Sequence, residues 1–399
     1  MSVPLSKHKY DVIVVGMGPA GALAAYELSQ RGVSVLAFDT QAHPRYKVCG
    51  GGLSARISNI LPEDFLSVVE KTVHRVQFIC GAQQSFLIES SEPIAYMVMR
   101  QNFDQWLVEK ARQAGTEIRE GERVVDIQDE EESVDVFTKE GRYRSRVVIG
   151  ADGVMSVVAQ RCFPGRSLRS IPALESEVQG EPSHAFQETP TALISLQAAK
   201  KGYGWIFPKQ QGLSLGVGEF VKGTKRPKQS FRDFIGHEST LVGLKIPAPL
   251  GYPLPIAQVS RNGHSWSGSL VRGRAMLVGD AGHLVDPLLG EGIYYAVRSG
   301  QLAAQNVVGM LEILSSCRLS DYEILVENEF GAEFRAASRL GKIVYGLPRS
   351  VHGWAGQRFP DAYQRVLQRY CKVLQGKETY QGLWNRILQR LHWPFVGKS

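Results

Sequence analysis

Residues 10–15, YDVIVV, are almost wholly apolar and rich in β-branched side chains. A strand with one wet face would alternate, so this run predicts a strand buried on both faces, as in a parallel sheet. GMGPAG follows, and ALAAYELSQRG then reads as a helix closing at Gly32. VSVLAFD predicts a second strand ending at Asp39. SRVVIGADG (145–153) is again a buried strand running into glycine, after a hairpin whose turn lies near Lys139–Gly141. RAMLVGDAGHLVDPLLGEGI (274–293) does the same and leads into a long helix, GIYYAVRSGQLAAQNVVGML. HRVQFIC, SFLIE, TALISLQAA, GYGWIFPK and LSLGVGEF read as strands of an antiparallel sheet drawn from two separate parts of the chain. The last stretch, from 311 onward, reads as helical.

The first strand, turn and helix carry G-x-G-x-x-G. Gly16 makes the tight turn, Gly18 lets a pyrophosphate approach the backbone, and Gly21 lets helix and strand pack closely. With Pro19 and Ala20, they put a helix N-terminus against phosphate, and Asp39 reaches ribose hydroxyls. This setting predicts a bound dinucleotide but does not decide between NAD and FAD. Two further strand ends close in an acid, Asp152 and Asp280. A charge at a buried strand end needs partners. One could be a helix cap; two, beside the first fingerprint, point to one ligand spanning several strand ends. LGVGEF lacks the third glycine and the following helix, so no second dinucleotide domain is expected.

With 399 residues the chain is long enough for two or three domains, and its formal net charge is +7. No dense Lys/Arg run marks a nucleic-acid groove. Cys49, Cys80, Cys162, Cys317 and Cys371 are scattered and form no C-x-x-C pair, so neither a metal site nor a disulfide framework is expected. The N-terminus shows no apolar leader and no uncharged run is long enough to span a bilayer, which predicts a cytoplasmic protein.

GMGPAG, GADG and GDAGHLVDPLLGEGI, in that order, resemble the flavoprotein superfamily of aromatic hydroxylases. KVCGGGLS (47–54) and GYGWIFPK (202–209) resemble its geranylgeranyl reductase branch. The resemblance implies an α/β fold: a Rossmann-like FAD-binding domain, an inserted antiparallel β-sheet substrate domain and a helical C-terminal region. FAD-binding parts are expected at 1–70, 99–165 and 269–315, substrate-domain parts at 71–98 and 166–268, and the helical region at 316–399. Asp280 would serve the ribityl and pyrophosphate region, and Gly290, Gly292 and Ile293 the flavin's pyrimidine edge. Asp152 and Gly153 match the middle motif, and Arg100 would reach the phosphates. Arg45, Val124, Gly279 and Pro287 complete the expected shell.

By the same resemblance Cys49, Gly50 and Gly51 would border the flavin ring. Gly52, Tyr203, Trp205, Phe207 and Pro208 would meet the substrate, with Tyr203, Trp205 and Phe207 as an aromatic wall on one strand face. Cys49, Tyr203 and Trp205 are the catalytic candidates; whether Cys49 packs against the ring or supplies a proton stays open. The implied activity is saturation of isoprenoid C=C bonds, with FAD reduced by NADPH or another donor, an electron-transfer protein included. A flavin monooxygenase or halogenase is the alternative, although halogenases of the superfamily carry W-x-W-x-I-P where this chain has Tyr203, Trp205 and Phe207. A lipid-binding flavoprotein without turnover is a third reading. In YQGLWNRILQRLHWPF, Leu383, Trp384, Ile387, Leu388 and Leu391 form an apolar stripe opposite Arg386, Gln389 and Arg390. Beyond residue 350 eight Lys/Arg face two acids. This helix either docks on its own protein or touches a membrane surface.

Overall fold

A parallel sheet is built on β1 (Tyr10–Val15), whose residues Val12–Val14 are fully buried, as an unbroken apolar run requires. The computed structural model describes residues 10–81, 84–166, 170–180, 189–220, 227–238, 241–259, 268–312 and 317–392. β2 (Val35–Asp39) and β11 (Arg142–Gly150) flank β1 in parallel. β8 (Glu117–Glu120) and β18 (Ala275–Leu277) extend the sheet outward, and β17 (Val271–Arg272) caps it antiparallel. β10 (Val134–Phe137) folds back on β11 as the expected hairpin, and β9 (Asp126–Asp129) pairs antiparallel with β10 beyond it. α1 (Pro19–Gln30) packs between the sheet and α5 (Ile293–Leu311), with α2 (Arg100–Gln113) alongside. α3 (Val157–Cys162) follows the Asp152 strand end.

A second sheet of seven strands runs in the order β16 (Leu250–Leu254), β12 (Ile171–Gln179), β15 (Gly212–Glu219), β14 (Gly202–Lys209), β13 (Thr191–Ser195), β5 (Arg75–Gly81), β6 (Gln84–Glu89). It joins two distant parts of the chain, as expected. It is not wholly antiparallel: β13 runs parallel to β5, because that seam connects strands from different insertions rather than from one hairpin. α4 (Pro227–His237) covers its outer face through Phe231 and Phe234. A third sheet, β3 (Gly52–Ser54), β7 (Ala95–Val98) and β4 (Val69–Val73), was not foreseen; it stitches the glycine-rich turn to the second sheet.

The C-terminal region is helical: α6 (Asp321–Val326), α7 (Ala332–Gly346), α8 (Arg349–Arg358), α9 (Pro360–Leu374) and α10 (Tyr380–His392). In α10, Tyr380 and Leu383 are buried, and Trp384 and Ile387 pack on the same cluster as Tyr203 and Trp205. The apolar stripe therefore docks on the protein itself. The side chains of Arg390 and Leu391 lie outside the described residues, as do residues 1–9 and 393–399. Among the described residues no helix is long and apolar enough to cross a membrane.

Candidate functional site

The C-terminal ends of β1, β2, β11 and β18 face the inner surface of the second sheet. A cavity of about 490 Å³ runs between them. Strand ends of an open parallel sheet are where such folds bind ligands, because the loops there leave backbone groups unpaired.

At one end lie Gly16, Gly18, Pro19 and Ala20. α1 begins at Pro19 with no side-chain cap and no acid in its first turn, so its N–H groups and positive end face the cavity. A Cβ on Gly18 would meet only Arg45 Nη2, at 3.7 Å. Asp39 lines this end, its oxygens accepting from the N–H groups of Met17 (2.9 Å) and Gln41 (3.0 Å). Val124 and Gly153 complete the wall. Arg45 and the buried Arg100 share Asp104, which Arg100 grips with two bonds of 2.8 Å. Asp104 was not anticipated, although an acid four residues after Arg100 on the apolar face of its helix is the readable signal.

The two later acids differ. Asp152 Oδ2 accepts from Val157 N–H at 2.6 Å and so fastens α3; its Oδ1 is buried with no partner among the described residues. Burial raises its carboxyl. Asp280 accepts from the Tyr252 hydroxyl at 3.3 Å; burial raises it too, against the pull of Lys47 and Arg100. The Lys47 ammonium stands 3.0 Å from the centre of the Tyr252 ring, and burial with the nearby Arg100 charge lowers it to about 8. Gly290, Gly292 and Ile293 bring the N-terminus of α5 to the same wall.

Cys49, Gly50, Gly51 and Gly52 form the middle of the cavity. The protein's own packing demands these glycines. Gly51 has φ +61°, and a Cβ there would stand 2.1 Å from Val98 O. A Cβ on Gly50 would meet Trp205 Nε1 at 2.8 Å, and one on Gly52 would meet Phe207 Cε2 at 2.9 Å. The turn thus slides directly beneath the aromatic row. Lys209, missed in the sequence, holds it there. Its buried ammonium donates to the carbonyls of Val98 (2.7 Å), Gly50 (2.9 Å) and Gly51 (3.4 Å), and burial lowers it to about 8. Cys49 Sγ accepts from Gly51 N–H at 3.4 Å.

The other end is apolar. Tyr203, Trp205 and Phe207 alternate along the inner face of β14, with neighbouring ring centres 6.0 and 6.2 Å apart. Trp205 lies across Gly216, where a Cβ would stand 2.2 Å from its Cζ2. Its buried Nε1 has no partner among the described residues. Val76, Met97, Ala192 and Ile194 continue the wall, and Tyr370 and Leu374 of α9 close it. Those two were also missed, since nothing local in α9 marks them. The Tyr203 hydroxyl donates to Leu289 O, and burial raises it far from neutrality. Tyr203 therefore clamps the loop before Gly290, its hydroxyl proton engaged by that carbonyl.

Four expected site residues stand off the cavity. Gly21 is pressed on Gly16, its would-be Cβ 1.9 Å from Gly16 O. Gly279 turns against Ala20 and Ala296 with φ +53°. Pro287 backs onto Gly341. Pro208 falls on the opposite face of β14 by alternation.

An anion-ready helix end, an open space at Gly18, an orphaned carboxylate oxygen and an orphaned indole N–H fit an extended ligand with a phosphate part and a ring. The chain matches the FAD binding domain family over residues 9–312. It is 31% identical over 318 residues to the geranylgeranyl diphosphate reductase of Rhodobacter capsulatus, covering 76% of each chain. It is 27% identical over 372 residues to a digeranylgeranylglycerophospholipid reductase of Methanopyrus kandleri, covering 84% of this chain and 86% of that one. A geranylgeranyl bacteriochlorophyll reductase-like protein of Thermoplasma acidophilum shares the fold, with a TM-score of 0.75 and 20% identity over 97% of each chain. The fold, the cradle and these likenesses agree: the chain belongs to the geranylgeranyl reductase family of FAD-dependent oxidoreductases.

Proposed function

We propose that this protein saturates C=C bonds of an isoprenoid chain, with FAD in the polar arm of the cavity and the prenyl chain in the apolar arm. The observation that carries the reading is the junction: the anion-ready end and the aromatic end are one cavity, meeting at Cys49–Gly52. FAD, once bound and reduced, would supply the hydride. The chain's own residues bind, align and shield. The ends of α1 and α5 receive negative charge. Arg45 and Arg100, held by Asp104, sit beside the phosphate region with their planar donors fixed. Trp205 and Phe207, themselves packed on the glycine turn, wall the apolar arm and exclude water. An isolated alkene accepts hydride poorly, so alignment and a proton source decide the rate.

The reductant is NADPH or an electron-transfer protein, docking transiently because the chain has no second dinucleotide cradle in its sequence. We place the protein at a membrane periphery, where its substrate resides. α10 docks inward, so the contact falls on α8 and α9, where Trp354, Phe359 and Val366 are exposed beside Arg358.

The test is anaerobic incubation of FAD-loaded protein with geranylgeranyl diphosphate and a reductant, followed by mass spectrometry of the prenyl product. Gain of hydrogen in pairs is expected. Rapid oxygen uptake with a hydroxylated or halogenated aromatic product, and no prenyl saturation, would establish the monooxygenase alternative instead.

A further inference from the structure

The seven-stranded sheet carries a buried acid of its own over the cavity. Glu175 sits on β12, 2% exposed, and lines the cavity. Its position is fixed by register. Trp205 of β14 and Glu175 of β12 are both paired with Gly216 of β15, so the three form one row across the sheet. Because Gly216 has no side chain, the Trp205 indole lies across it toward Glu175. The same indole touches the glycine turn at Gly50. Glu175 therefore stands in the roof beside the junction of the two arms.

Its hydrogen bonds give it a way out. Oε1 accepts from the Ser214 hydroxyl at 3.1 Å, and Oε2 accepts from the Tyr46 hydroxyl at 3.1 Å. Tyr46 is 45% exposed, and Leu250, paired with Glu175 on the outer strand, is 50% exposed. One oxygen thus faces a hydroxyl that reaches solvent, while the carboxyl itself is dry. Burial, and then the charge of Glu177, lift the carboxyl to about 7, against the pull of Ser214, Tyr46 and Lys209. Glu177 faces it from its own strand, Lys209 from β14, and Tyr46 from the loop before the glycine turn. Glu70 in turn acts on Glu177 and Lys209.

We propose that Glu175 donates the proton that completes saturation of the double bond, and that Tyr46 returns a proton to it from solvent. This rests on the reductase reading above. The π bond breaks. One carbon gains the hydride that a nicotinamide-class reductant supplies through FAD. The other gains the carboxyl proton, leaving Glu175 as carboxylate. That carboxylate takes the Tyr46 hydroxyl proton as Tyr46 regains one from water. Each double bond thus consumes one hydride and one proton.

The experiment uses full-length FAD-loaded wild type, E175Q, E175D and Y46F. Infrared difference spectra across about pH 5–9 read the protonated carboxyl without turnover. The expected result is a protonated carboxyl band in wild type that is lost with a midpoint near neutrality and is absent in E175Q. Prenyl saturation is expected to fall about 100-fold in E175Q and about 10-fold in Y46F, with FAD content and visible spectrum unchanged. E175D should recover part of the rate with a displaced pH profile. An E175Q enzyme within about twofold of wild type, with the same pH profile, overturns the proton assignment alone. Absence of the carboxyl band in wild type also overturns it. Wild type that binds FAD but saturates no prenyl chain overturns the assignment and the reductase reading together.

Discussion

The two arms of the cavity are built on opposite plans. The polar arm is mostly backbone: helix ends, strand tips and glycines, with a few charges held in pairs such as Arg100–Asp104. The apolar arm is mostly side chains, taken from β5, β7, β13, β14 and α9, which lie far apart in the chain. A backbone site tolerates little change at single positions, since a Cβ fills the space the ligand needs. A side-chain wall can be reshaped one residue at a time without losing the fold. The first arm therefore suits an invariant cofactor and the second a substrate that differs between relatives.

Blocking each arm separately should expose this difference. Gly18→Val puts its Cβ where Arg45 Nη2, at 3.7 Å, is the one neighbour within 4 Å, so folding should survive while FAD affinity falls about 100-fold or more. Thermal unfolding without FAD and a cofactor titration measure the two effects. Ala192→Phe fills the other arm. It should weaken prenyl diphosphate binding about 30-fold and leave FAD affinity within about twofold, read by calorimetry. If either substitution removed both ligands equally, the division into two arms would be wrong.

The seam between the arms is held by Lys209. Lys209→Met would strand the carbonyls of Val98, Gly50 and Gly51 in a dry setting, at a cost of about 2–4 kcal/mol in urea unfolding. Because Nζ is lowered to about 8, the wild-type lysine is itself a burden on the fold when charged, and its stability contribution grows as pH rises from about 8 toward the ordinary lysine range.

The smallest effect concerns how the C-terminal helices are tied down. Tyr380 of α10 donates to Asp286 Oδ2 at 2.7 Å, and burial raises that carboxyl to about 6. The folded protein thus prefers Asp286 protonated. This contribution is fully present below the ordinary carboxylate range and is lost as pH rises through about 6. Melting temperature measured from about pH 4 to 7 should fall less steeply in Asp286→Asn than in wild type. Equal slopes would remove Asp286 from the pH response.

The same contrast explains what the sequence disclosed. Backbone sites need glycine, proline and an acid at set spacing, so GMGPAG, GADG and GDAGHLVDPLLGEGI announced the polar arm. Tyr203, Trp205 and Phe207 were readable because a strand alternates. Glu175 and Gly216 were not, since their meaning comes from register across three strands. Tyr370 and Leu374 were not, because only tertiary packing brings α9 to the cavity. The stripe on α10 was visible, but its partner was not: an amphipathic helix shows that it has something to cover, and only the fold shows that this is the cluster beside Tyr203. The glycines at 50–52, expected beside a flavin ring and substrate, line the cavity, and Trp205, Phe207 and Val98 already demand them by packing.

A crystal structure of the FAD-loaded protein with a non-reducible geranylgeranyl analogue tests the two-arm cavity most directly. The expected density has the pyrophosphate at the start of α1, the flavin ring against Cys49–Gly52, and the prenyl chain running past Trp205 toward Tyr370. Flavin density away from that turn, or a prenyl chain bound outside the aromatic arm, would contradict it.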